Sequence, residues 1–166
     1  MQINSSSDNN SAQNEFNDFP LASPWIRLGA YTIDAIILLT ITIPLLIFTG
    51  LFDEMGGGMT FVTEIIAASI MFSVYVLINV WLIFSKSQTI GKSILKIQVV
   101  DKNTRMPIGG IRYIFARTLP VWIWSQIPYI EIIMNLIDCL LIFREEHNCL
   151  HDDIAGTRVI KLGSKK

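Results

Sequence analysis

LGAYTIDAIILLTITIPLLIFTGL, residues 28–51, is 24 residues long and carries one charge, Asp34. About 20 residues at 1.5 Å rise cross the roughly 30 Å of hydrocarbon in a bilayer, so the stretch predicts a membrane span. A second, IIAASIMFSVYVLINVWLIF at 65–84, has no charge at all. One such run could be the buried helix of a soluble protein. Two of them in a chain of 166 residues predict an integral membrane protein. Pro44 is expected to kink the first helix, which neighbouring helices can tolerate in a bilayer.

The rest of the composition agrees. The chain is 51% hydrophobic and 16% charged, with a mean hydropathy of +0.47, too apolar for an ordinary soluble domain. A net charge of -1 and a pI near 6.1 exclude a strongly basic nucleic-acid module, so no nucleic-acid partner is expected. Two cysteines, Cys139 and Cys149, cannot build a disulfide framework. No CxxC or His-pair spacing suggests a metal site, and no cofactor is expected. Residues 1–19 are rich in Ser, Asn, Asp and Gln and read as a disordered tail rather than a secretory signal, lacking a basic n-region. Residues 20–166 then form one membrane domain.

The loop 52–64 holds Asp53, Glu54 and Gly56-Gly57-Gly58 but no Lys or Arg. The next connection, 85–117, carries Lys86, Lys92, Lys96, Lys102, Arg105, Arg112 and Arg117 against one acid, Asp101. Arg144, Arg158, Lys161, Lys165 and Lys166 lie in the C-terminal segment, and Arg27 starts the first span. By the positive-inside rule the Gly-rich loop faces out, and the basic connection and N-terminus face the cytoplasm.

The third apolar stretch, 118–143, is interrupted by Pro120 and Pro128 and carries Glu131 and Asp138. A single crossing would put the basic C-terminal segment outside; a hairpin bent near Pro128 would return it to the cytoplasm. The β-branched clusters at about 94–100 and 157–162 read as short strands that need each other, and pairing requires one membrane face. The expected fold is an all-α integral membrane protein of three to four membrane helices with a short cytoplasmic β-strand pair. Its helices fall at about 26–50, 64–85, 112–128 (amphipathic or partly inserted) and 129–144.

Ionisable groups in spans are costly, about +2.5 to +3.5 kcal/mol for a central Asp, and usually face the bundle interior. Arg27 and Asp34 share one helical face, yet about 10 Å of axial separation is too long for a direct salt bridge. Arg27 can snorkel to the headgroups or reach another helix. Glu131, Asn135 and Asp138 follow i, i+4, i+7 and form one stripe. Packed on the first helix, that stripe would bring carboxyls near Asp34, with Asn135 and Asn79 as hydrogen-bond partners. Carboxyls clustered in low dielectric cannot all stay ionised, so one holds a proton or shares a cation such as Na⁺. The alternative is that these groups are interhelical glue, at about 0.6 kcal/mol per hydrogen bond.

Arg27 at the start of the first span, Asp34 inside it and Asp138 in the third resemble the pattern for which the RDD family of bacterial membrane proteins is named. TIGKSILKIQVVD at 89–101 is similar to the segment that follows that family's second helix. Arg117 matches an Arg before the third helix, and LHDDIAGTRV at 150–159 is similar to a terminal box. The resemblance runs over most of 24–161. It implies a polytopic inner-membrane protein with a suspected role in transport of ions or ligands, and it supplies no substrate.

In physical terms, Gly91 suits a tight turn, and Lys92 and Lys96 suit anionic headgroups. His151, Asp152, Asp153 and Gly156 read as a capped turn leading into a strand, with the acids free to pair with Lys92, Arg112 or Arg117. His151 either titrates as a sensor or only hydrogen-bonds within the turn, and the cluster is a weak metal signal. No nucleophile elbow, HExxH or P-loop is present, so an enzyme is not expected. Two functions remain. One is a small transport component, oligomeric or part of a larger membrane complex, that moves a proton or monovalent cation through Arg27, Asp34 and Asp138. The other is a membrane scaffold whose basic segment holds a partner protein or anionic lipid.

Overall fold

Ser23 starts the first helix: its Oγ accepts from the Ile26 amide, and Pro24 fills the position where a missing N–H is harmless. Helix α1 runs Pro24–Phe48 and continues through Pro44. A short α2, Leu51–Gly56, follows. Thr60 then caps α3, Phe61–Lys86, by accepting from the Thr63 amide at 3.2 Å. This computed structural model describes residues 19–56, 60–127, 130–141 and 149–163; the side chains of Glu131, Asn135 and Asp138 lie outside it. The expected polar tail, apart from Phe19, lies outside it as well.

Helices α1 and α3 pack together, but only 11% of each one's most apolar window is buried inside the chain. Ile36, Leu39, Phe48, Phe61, Leu77 and Trp81 point outward. A soluble core helix would hide such a surface. These two are candidate membrane spans.

After α3, Ser87 takes a left-handed conformation at φ 54° and donates its hydroxyl to the Ile108 carbonyl, which turns the chain under the helix end. Helix α4, Ile90–Ile94, strand β1, Ile97–Asp101, and later β2, Thr157–Lys161, complete a cap. The strands pair antiparallel, Ile97 opposite Lys161 through Asp101 opposite Thr157. Residues 94–96, expected as strand, do not join it. Thr89 nucleates a helical turn that takes Ile94, and Lys96 at φ 54° redirects the chain into β1.

Both edges of the sheet are covered. Leu21 bridges Ile160, the Ala22 amide donates to Val159, and Pro107 bridges Val100. The sheet therefore gathers the start of the described chain, the connection and the C-terminal segment. Ala22, Ala30, Ile83, Ile97, Val99, Ile108, Tyr113 and Val159 form the core where it meets α1 and α3.

Residues 110–124 form one continuous helical stretch, α5: Gly110–Arg112, a π-helical turn Tyr113–Thr118, and Leu119–Trp124. The wider turn precedes Pro120, which has no N–H to offer residue 116. Gly110 lies so close to Phe84 that a Cβ would come within 2.6 Å of its ring. At the far end the Trp122 indole donates to the Ala68 carbonyl at 3.2 Å, and its ring centroid lies 5.3 Å from that of Phe72. Twelve residues separate these contacts on α5, about 18 Å of helix. Helix α5 thus runs antiparallel along α3, over most of the segment expected at 112–128 to be amphipathic or partly inserted. The indole's donor finds its carbonyl inside, so Trp122 packs on the bundle. Helix α6 covers about 18 Å over its described residues, Ile130–Leu141, and contacts both α5 and α7, Leu150–Ala155.

Candidate functional site

Two polar clusters lie between the cap and the helices. In the first, the carboxylate of Asp152 sits between two guanidinium groups. Arg27 Nη1 donates to Asp152 Oδ2 at 3.2 Å, and Arg117 Nη1 pairs with Oδ1. Arg27 spends its other donors on the carbonyls of Ala22 at 3.2 Å and Val159 at 3.1 Å. Thr157 Oγ1 accepts from Arg117 at 3.1 Å and donates to Asp152 Oδ1 at 3.3 Å. Asp152 also reaches back to the amide of Cys149, which opens α7. Arg27, Arg117 and Asp152 are 7%, 6% and 0% exposed. Burial alone would push the Asp152 carboxyl up; the charges of Arg117, His151 and Arg27 outweigh it and hold it below 3.8. The arrangement is a lock. It ties the first turn of α1, the π-helical turn of α5 and the C-terminal box to one buried carboxylate.

The second cluster is centred on Asp34, ten residues after Pro24 and so about 15 Å along α1. Oδ2 accepts from the hydroxyl of Thr89, and Oδ1 accepts from the amide of Gly91 at 2.7 Å. From α3, Asn79 Oδ1 accepts from the amide of Ile90 at 2.9 Å. Both spans therefore cap the N-terminus of α4, whose first amides have no partner within the helix. Gly91 is required by close approach: a Cβ there would stand 2.2 Å from the Ala30 carbonyl and 3.0 Å from the Asp34 carboxylate. Sequence reasoning put Gly91 in a tight turn. Instead it lets α4 touch the backbone of α1.

Tyr113 stands between the clusters. Its hydroxyl accepts from Lys92 Nζ at 2.9 Å, and its ring lies 5.6 Å from that ammonium and 5.7 Å from the Arg117 guanidinium. Lys92 thus reaches the Tyr113 hydroxyl on α5. At the periphery Arg112 pairs with Asp101 and donates to the Ala155 carbonyl at 2.9 Å, while Asp153 meets Lys102 at 3.9 Å. Gly156 ends α7 at φ 63°. Ligand atoms of Cys149, His151 and Asp152 gather within 4.8 Å. Both Asp152 oxygens already face guanidinium groups, which repel a metal cation, so this donor set suits one poorly.

Compared with known families, residues 21–156 match the RDD family. The chain belongs to the RDD family. No curated protein and no solved structure matches it. The matched region contains Arg27, Asp34, Asn79, Thr89, Gly91, Arg117 and Asp152, while Thr157 and the rest of β2 lie past its end. In this RDD-family membrane protein the Arg and the first Asp of the pattern serve different clusters. Arg27 meets Asp152, not Asp34, and Asp34 draws its donors from α4. The backbones of Glu131, Asn135 and Asp138 lie on α6, while their side chains fall outside the described residues. Arg117 does meet an acid of the C-terminal box. Sequence reasoning missed Thr89, Tyr113 and Thr157. Of these only Thr89 carried a signal, a hydroxyl residue three positions before Lys92 in an N-cap spacing.

Proposed function

We propose that this RDD-family protein is a small transport component that passes a proton or a monovalent cation by way of Asp34. The observation that carries the reading is a comparison inside one cluster. Asn79 caps Ile90 with a neutral side chain, while Asp34 caps the adjacent Gly91 with an ionisable one. Capping needs only an acceptor. An acid about 15 Å into a span costs a further ~2.5–3.5 kcal/mol, and acids so placed mark ion pathways. Its chemistry exceeds what the fold asks of it.

Two spans and a short hairpin enclose little volume. The grooves among the described residues, such as that lined by Ile36, Leu39, Thr40, Ile43 and Pro44, are open and apolar. Transport therefore calls for several copies or a larger membrane complex. The proposed setting is the bacterial plasma membrane, with the N-terminus, basic connection and C-terminus cytoplasmic. The basic residues favour this by the positive-inside rule, and the shared sheet favours one side for all three segments. The proposed role is not enzymatic.

A second reading, a membrane scaffold, draws support from the completeness of the pairing: Arg27, Arg117 and both oxygens of Asp34 all have internal partners. Flux of H⁺, Na⁺ and K⁺ into proteoliposomes separates the two. The transport reading expects wild-type flux that Asp34→Asn reduces at least tenfold at equal folded yield. A wild type that moves none of the three ions contradicts it and leaves the scaffold.

A further inference from the structure

We propose that Lys86, Lys96 and Lys161 form a site for the headgroup of an anionic phospholipid, at the end of the sheet where β1 begins and β2 ends. Most of the described cations are spent inside the fold. Arg27 and Arg117 hold Asp152, Arg112 holds Asp101, Lys102 meets Asp153, and Lys92 donates to Tyr113. Lys86, Lys96 and Lys161 make no ion pair and no side-chain hydrogen bond among the described residues.

These three come from different elements, yet the fold brings them to one place. Lys86 ends α3, and its carbonyl accepts from the Gln98 side chain at 2.7 Å. Gln88 donates to the Ile97 carbonyl at 3.0 Å, which holds the chain after α3 against the start of β1. Lys96 immediately precedes that start and is exposed. Its carbonyl accepts from the Leu162 amide at 2.7 Å, and Lys161 stands opposite Ile97 in the sheet. Asp101 lies at the other end of β1, about 13 Å away, and is already paired. The negative end of α3 accounts for one cation. Three lysines gathered without an acid repel one another unless an anion joins them.

The apolar rim beside the lysines makes that anion a lipid. Phe84 and Ile94 are exposed, each two residues before a lysine. Trp81 also points outward, five residues before Lys86, about 7.5 Å along α3. An outward aromatic followed by a lysine at the end of a span marks the passage from hydrocarbon to headgroups. Acyl chains would cover Phe84 and Ile94, the lysine stems would run along the same surface, and the ammonium groups would meet the phosphate. Of the two lysines that the sequence assigned to headgroups, Lys92 is engaged by Tyr113; Lys86 and Lys161 join Lys96 in its stead.

The test is lipid retention by the full-length protein, re-isolated from detergent micelles doped with equal amounts of phosphatidylglycerol and phosphatidylcholine. The wild type is expected to hold phosphatidylglycerol in excess, by about fivefold for each lysine engaged at low salt. The excess should shrink as NaCl rises from about 50 to about 500 mM. Lys86→Gln/Lys96→Gln should reduce it roughly twenty-five-fold. Lys86→Arg/Lys96→Arg should keep it, as should Lys165→Gln/Lys166→Gln, which removes the same charge elsewhere. No internal contact of these side chains is lost, so all should melt with the wild type. Should the double Gln variant fail to fold, Lys86→Gln and Lys96→Gln, taken singly, should each lose about fivefold. Equal retention of the two lipids by the wild type overturns the proposal and leaves the lysines to a protein partner. An excess unchanged in the Lys86 and Lys96 variants overturns it too, as does an equal loss in Lys165→Gln/Lys166→Gln. Displacement of the lipid by millimolar inorganic phosphate would make the site one for a soluble anion and likewise overturn it.

Discussion

Asp152 has no exposure and stays ionised because two guanidinium groups from distant segments repay its lost hydration. Such a carboxylate makes stability depend on acid. Its folded pKa lies below the ordinary 3.8, so its contribution is complete above the unfolded value. It is lost as pH falls through the lowered folded value. The unfolding midpoint of the wild type should therefore drop as the medium is acidified below about pH 4. Asp152→Asn, which leaves two buried cations facing a neutral group, should lose about 3–5 kcal/mol at neutral pH and show a shallower acid drop. Denaturation followed in detergent across this range checks both.

The elements show what a sequence can and cannot announce. The spans were legible because length and lack of charge decide them locally, and α1 and α3 fall close to 26–50 and 64–85. The strand pair was legible from its β-branched residues, although its first strand begins at Ile97 rather than 94. Helix α4 was not. Its stability comes from Asp34 and Asn79, remote in sequence, and its fit to α1 comes from a glycine whose role is packing rather than turning. Nor was the course of α5, since Pro120 signals an interruption and the π-helical turn absorbs it. That course predicts a proximity. Cysteines replacing Ala68 and Trp122 should cross-link within one chain in membranes, by a short thiol-reactive linker, in high yield. Absence of the link beside a control pair joining α1 to α3 would return α5 to the membrane surface.

For the whole molecule the organising feature is that distant parts of the chain meet in one cap. Arg27 and Asp152 are 125 residues apart, a distance over which no periodicity or spacing in the sequence points from one to the other. The family pattern marked Arg27 and Asp34 as a set; the fold divides them, giving the Arg to Asp152 and the Asp to the N-terminus of α4. The lock closes only if the α5–α6 stretch carries α7 back to the end of the bundle where α1 begins. A double-mutant cycle on Arg117→Met and Asp152→Asn, read from unfolding free energies in detergent, tests that closure most directly. The two losses should overlap, with a coupling of about 1–3 kcal/mol. Additivity within about 0.5 kcal/mol would mean that the two side chains do not meet, and would contradict it.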